Sequence, residues 1–95
     1  MFCNEYTIPT TATTIAELIY SELSDIRKSV ADSGVMLSDI IIQAPLTNSS
    51  NIFYGTPENQ KIFVKPEGSS GLFKANIAKL SVIGTGVDKI IIFLA

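Results

Sequence analysis

The chain of 95 residues contains no histidine, no tryptophan and a single cysteine. Without histidine, the commonest general base and the commonest metal ligand are both missing. Ser-His-Asp and Cys-His nucleophilic arrangements are thereby excluded. So is zinc held by cysteine and histidine, since Cys3 alone remains. One cysteine also precludes an intrachain disulfide framework. Charge is scarce: 17% of residues are Asp, Glu, Lys or Arg, against about 25% in ordinary soluble domains. The seven basic residues are Arg27, Lys28, Lys61, Lys65, Lys74, Lys79 and Lys89, and the net charge is −2. Only Arg27 and Lys28 are adjacent, so no basic stripe exists to neutralise phosphates, and neither nucleic acid nor a membrane surface is expected as a partner. Long apolar runs are absent too. The longest, Ile90 to Ala95, falls far short of the roughly 20 residues a spanning helix needs. The start, Met1-Phe2-Cys3-Asn4-Glu5, shows no basic segment followed by an apolar one, so synthesis in a cytoplasm without a signal peptide is expected.

What is present is apolar. Hydrophobic residues make up 46% of the chain and mean hydropathy is +0.35. A small domain has much surface to cover, so little charge implies apolar surface that another copy or a larger assembly would cover. The length suits a single domain over residues 1–95. Ile15, Leu18, Ile19, Leu23, Ile26 and Val30 return to one face of a 3.6-residue period. Glu17, Ser21, Asp25, Lys28 and Asp32 fill the opposite face. Thr14 with Glu17 three residues later is a capping-box pattern, and Gly34 can supply a left-handed residue past the end. This pattern predicts one amphipathic helix over residues 15–32, preceded by an extended arm or edge strand over 1–13.

From residue 39 to 95 the texture turns to β. Short apolar runs at Ile40–Ile42, Ile52–Tyr54, Ile62–Val64, Leu72–Phe73, Leu80–Ile83 and Ile90–Leu94 alternate with turn clusters rich in Pro, Gly, Asn and Ser. That spacing predicts a mainly β fold, a small antiparallel β-sandwich or jelly-roll-like barrel with one N-terminal amphipathic helix. Lys79-Leu80-Ser81-Val82 alternates as one buried and one wet face. Ile90-Ile91-Ile92-Phe93-Leu94 is apolar on both faces, which calls for a central strand or for cover by a helix or a neighbouring subunit.

The search for catalytic or ligand chemistry returns little. The nine carboxylates are dispersed, and no acidic loop suits calcium or magnesium. Gly84-Thr85-Gly86 has Lys89 where a dinucleotide fingerprint needs a third glycine, and reads as a hairpin turn. Asn48-Ser49-Ser50 fits the glycosylation sequon by accident. Phe53, Tyr54, Phe63 and Phe73 suit cross-strand pairs, or anchors for a sugar or partner. Phe63, sharing a face with Lys61 and Lys65, is the best outward candidate. The expected interface residues are Ile91, Phe93, Leu94, Phe63 and Tyr54. No catalytic, metal or cofactor site is nominated, and the chain is not expected to be an enzyme.

From residue 40 onward, Ile40-Ile41-Ile42-Gln43-Ala44 is followed by Asn48-Ser49-Ser50-Asn51 and Ile52-Phe53-Tyr54-Gly55. Then come a Pro66-Glu67-Gly68 turn, Leu80-Ser81-Val82-Ile83-Gly84, and Asp88-Lys89-Ile90-Ile91-Ile92-Phe93. This order of features resembles that of small virion structural proteins of tailed bacteriophages. The opening Ile8-Pro9-Thr10-Thr11-Ala12-Thr13-Thr14 is similar to the Thr/Ala-rich start of such proteins. The resemblance implies a β-sandwich located in the virion that decorates the head or builds a fibre or tail attachment. It also implies a homo-oligomer, a trimer foremost, with other virion proteins such as the major capsid protein as partners. Two rival readings remain open: a carbohydrate- or receptor-binding module of a fibre, and a small accessory or inhibitor protein docking through the helix.

Overall fold

The computed structural model describes residues 2–56 and 58–94. The chain is mainly β, arranged as two four-stranded antiparallel sheets with short helices near the N-terminus. In chain order the strands are β1 (Phe2–Thr7), β2 (Thr13–Thr14), β3 (Leu37–Gln43), β4 (Ile52–Thr56), β5 (Asn59–Val64), β6 (Phe73–Asn76), β7 (Ser81–Ile83) and β8 (Lys89–Leu94). One sheet has the order β1-β8-β3-β6 and the other β2-β7-β4-β5. Residues 2–7 of the expected arm are thus an edge strand, with Phe2 opposite Leu94 and Thr7 opposite Lys89.

Isoleucine fills the interior between the sheets. Nine isoleucines (8, 15, 19, 40, 42, 52, 77, 90 and 92) are fully buried among the described residues. Their branched Cβ suits a pleated surface and leaves few rotamers to lose on burial. Each contributes about 1.5–3 kcal/mol by leaving water. Tyr54 of β4 and Phe73 of β6 stack across the two sheets with ring centroids 5.8 Å apart.

β8 lies between β1 and β3, so its backbone is paired on both edges. Ile90, Ile92 and Leu94 enter the core, while Ile91 and Phe93 face outward, half-buried. β7 departs from the expected alternation. Ser81 and Val82 are both buried, in a short strand whose two edges are taken by β2 and β4. Gly84-Thr85-Gly86 is not a hairpin turn, since β7 and β8 belong to different sheets. Gly86 takes φ +84° there, and Gly84 packs its missing side chain against Ile8. Among the described strands only β4 and β5 form a hairpin between chain neighbours.

The helix departs from expectation as well. The capping box forms: Thr14 Oγ1 accepts from the Glu17 amide at 3.2 Å, and Glu17 Oε1 accepts from the Thr14 amide at 3.4 Å. Yet α1 covers only Ile15–Ile19, followed by a 3₁₀ turn over Tyr20–Glu22. Leu23 then becomes extended, with φ −80° and ψ 146°, which drops its side chain into the core. Ser24 starts a second helix, α2 (Asp25–Asp32), its hydroxyl accepting from the Arg27 amide at 3.3 Å. Two helices therefore replace the predicted one. α2 buries none of its residues, and Ile26 is 80% exposed.

Candidate interaction surface

Among the described residues, the apolar side chains outside the core include three groups. On the outer side of the second sheet, Ile83, Phe53 and Phe63 form a row across β7, β4 and β5. The two phenyl rings lie 6.2 Å apart at 56°, and Phe63 is 50% exposed. Alternation along β5 puts Lys61 on the same side, as the sequence suggested. On the outer side of the first sheet, Cys3, Phe93 and Ile41 form one row, and Glu5, Ile91 and Gln43 the next. Cys3 is an exposed free thiol. The third surface is α2, where Ile26 and Val30 are one turn apart and exposed. Val30, Met36 and Leu37 line a cavity of about 330 Å³ there, together with the charged side chains of Arg27, Asp39 and Lys74.

Of the expected interface residues, Ile91, Phe93 and Phe63 thus sit on outer faces. Leu94 and Tyr54 do not. Both are buried in the protomer's own core, because the period of two along their strands turns them inward. Burial also pushes the Tyr54 phenol upward. The three residues left outside do not form one patch, since Phe63 and the Ile91–Phe93 pair belong to different sheets.

Polar clusters near these surfaces are structural in geometry. Asp88 is buried at the end of the β7–β8 connection. Its carboxylate accepts from the Ser49 amide at 2.9 Å, the Ser50 amide at 3.0 Å and the Ser49 hydroxyl at 3.1 Å. Those bonds, with the Ser49 amide foremost, hold its pKa below the ordinary value against the opposing effect of burial. Beside it, Asn48 Nδ2 donates to the Lys89 carbonyl at 2.7 Å, and Asn48 Oδ1 accepts from the Lys89 amide at 2.8 Å. The sequon asparagine is therefore buried with its donor engaged, which removes it as a glycosylation acceptor in the folded state. Nothing in the residue order pointed to this clamp.

On the helical side, the Tyr6 hydroxyl and Asn4 Nδ2 both donate to the Glu22 carboxylate. Burial, then the Glu22 bond, drives the Tyr6 phenol strongly upward. Tyr20 donates to Asp32 at 3.0 Å, which raises its phenol pKa, and Lys28 Nζ lies 5.5 Å from the Tyr20 ring centre. Glu17, Tyr20 and Asp32 border a cavity of about 410 Å³ floored by Ala16, Ala31 and Ala78. Each polar group there already has an internal partner. No cluster of three or more potential metal ligands occurs among the described residues, and no described helix is long and apolar enough to cross a membrane. No family model, curated protein or solved structure matches this chain.

Proposed function

We propose that this protein is a non-catalytic virion structural protein of the tailed-phage type, a head decoration or auxiliary capsid component. In this reading it is a β-sandwich of jelly-roll-like character that self-associates and docks on the particle. The observation that carries it is the uncovered apolar surface: Phe53 and Phe63 on one sheet, Phe93 and Ile91 on the other, and Ile26 with Val30 on α2. A protein of this size ordinarily keeps its larger exposed apolar patches for partners. The order of strands and turns from residue 40 onward, similar to that of small phage virion proteins, supplies the class of partner. The reading is tested by mixing the purified chain with particles of the virus that encodes it and separating them on a density gradient. Co-migration at a fixed copy number per particle is expected. A chain that stays at the top of the gradient, under conditions where it remains folded, sinks the proposal.

A second reading is favoured by one observation, the exposed Phe53–Phe63 pair beside Lys61. Adjacent aromatic faces with a polar neighbour suit the apolar side of a sugar ring. Under this reading a glycan would titrate Phe53 and Phe63 resonances selectively in an NMR experiment, and Phe63→Ala would abolish the response. A glycan array with no binder removes it.

A further inference from the structure

We infer that the outer edge of β5 pairs with the same edge of a second copy, joining two protomers about a two-fold axis through Ile62. The inference deepens the self-associating reading above and rests on it. It makes a pair of chains the basic unit, so a trimer would have to use a different face.

β5 is an end strand of its sheet, and no strand of the described residues covers its outer side. Edge strands are usually blunted against pairing by charges, lysine above all, by a proline or by a bulge, and β5 carries one such lysine, Lys61. The one irregularity here lies between Tyr54 and Thr56, close to the turn. There Gly55 lets the Asn59 carbonyl approach to 2.2 Å of where a Cβ would stand. Beyond it the ladder is regular, with Phe53 opposite Phe63 and Ile52 opposite Val64. Lys61 shares the outward side with Phe63, and the inward position between those two is Ile62, not a charge. Ile62 lies on the core side of the sheet with Tyr54, yet is 57% exposed at the rim. It is an inward-facing apolar residue that its own protomer does not cover.

The charges select the register. Two copies of one strand paired about a two-fold axis place residues of equal parity opposite each other. Two registers, centred on Lys61 or on Ile62, keep five residues of β5 paired, and the first of them sets two lysines face to face. Centring on Ile62 opposes no like charges. Ile62 then meets Ile62, and Lys61 of each copy meets Phe63 of the other. A lysine ammonium over a phenyl face is favourable, and the two Ile62 side chains cover each other on the inner side. Isologous contacts of this kind are the commonest way identical chains associate.

The experiment uses the full chain in three forms. Sedimentation equilibrium of the wild-type protein should show a monomer–dimer equilibrium and no trimer. Ile62→Lys sets two positive charges together at the axis, and should yield a monomer at every concentration with its circular dichroism and melting temperature retained. In a Cys3→Ser background, Ile62→Cys should form a disulfide-linked dimer with oxidised glutathione, whereas Leu72→Cys, exposed but off this edge, should not. A wild-type monomer at millimolar concentration, a discrete trimer, or equal masses for wild type and Ile62→Lys would overturn the pairing. Particle binding by Ile62→Lys separates the two ideas. Binding retained while wild type and variant share one mass leaves the virion reading standing without the edge pairing. Dimers that ignore the particle leave the pairing standing without the virion reading.

Discussion

Replacing Asn48 by alanine should cost this small fold about 2–4 kcal/mol, far more than a loop asparagine usually carries. The β3–β8 ladder pairs Ile40 with Leu94 and Gln43 with Ile91, so the same register would place residue 45 opposite Lys89. Residue 45 is a proline, which has no N–H to give the Lys89 carbonyl. The chain leaves β3 there, and the carboxamide of Asn48 takes over both halves of the missing pair, at 2.7 Å to the Lys89 oxygen and 2.8 Å from its nitrogen. Each bond contributes about 0.5–1.5 kcal/mol net, and a buried group left without a partner costs about 1–3 kcal/mol. Two such bonds with one end buried therefore give the stated range, a large part of the roughly 5–15 kcal/mol that holds a domain folded. Asn48→Asp tests the donor separately. It keeps the acceptor for the Lys89 amide but aims a carboxylate at the Lys89 carbonyl, so it should be at least as damaging at neutral pH and should recover partly on acidification. Urea unfolding followed by far-ultraviolet circular dichroism reads both variants through the midpoint at constant slope. A loss below about 0.5 kcal/mol for Asn48→Ala, the range of ordinary surface changes, would refute the view that this side chain completes the ladder.

Asp88 gives the fold a pH dependence of defined sign. Its folded pKa lies below the ordinary value of 3.8, so its stabilisation is complete above that value and is lost as the pH falls through the folded pKa. Asp88→Asn should flatten the acid limb of a plot of urea midpoint against pH, and an unchanged limb would assign it to other carboxylates. Ile19→Ala, at a fully buried site, should cost about 2–5 kcal/mol, whereas Ile26→Ala, on the exposed side of α2, should stay within about 0.5 kcal/mol. Equal losses in thermal melts would mean that α2 packs on something in the isolated protein. Glu67 holds φ +68° in the turn closed by the Gly68 amide and the Lys65 carbonyl at 2.8 Å, a position that glycine occupies without strain. Glu67→Gly should therefore raise stability by roughly 0.5–1 kcal/mol, and a lower melting temperature would contradict that.

Much of the secondary structure was legible because it is written locally. Thr14 and Glu17 announced the helix start through a bond between near neighbours, and Gly34 took the left-handed conformation its place suggested, at φ +87°. Phe63 between two lysines revealed its outward direction by simple alternation. The break at Leu23 was not legible, because Ile26 and Val30 continue the same periodic stripe. Periodicity reports that a face is apolar, not that anything covers it. Ser24 followed by Asp25 was the one local sign of a second start. The sheet to which each strand belongs was hidden as well. Gly84-Thr85-Gly86 has the composition of a hairpin, but a turn's chemistry is set by four residues, whereas the partners of β7 and β8 lie tens of residues away. The Asp88 and Asn48 clamps escaped for the same reason, since each joins segments about forty residues apart.

The place of β8 between β1 and β3 also sets a timetable for synthesis. Among the described strands β1 has no partner in its sheet except β8, and β3 likewise waits for β8 on one edge. A nascent chain arrested before Ile90 would hold β1 and the isoleucine-rich β3 with open edges and an unclosed core. Stable structure should therefore arise only once β8 has left the ribosome, in a single step that joins β1 and β3 through it. Until then the cell carries a polypeptide whose stickiest segments have nothing of their own to bind, and a chaperone that shields isoleucine-rich strands should raise its yield.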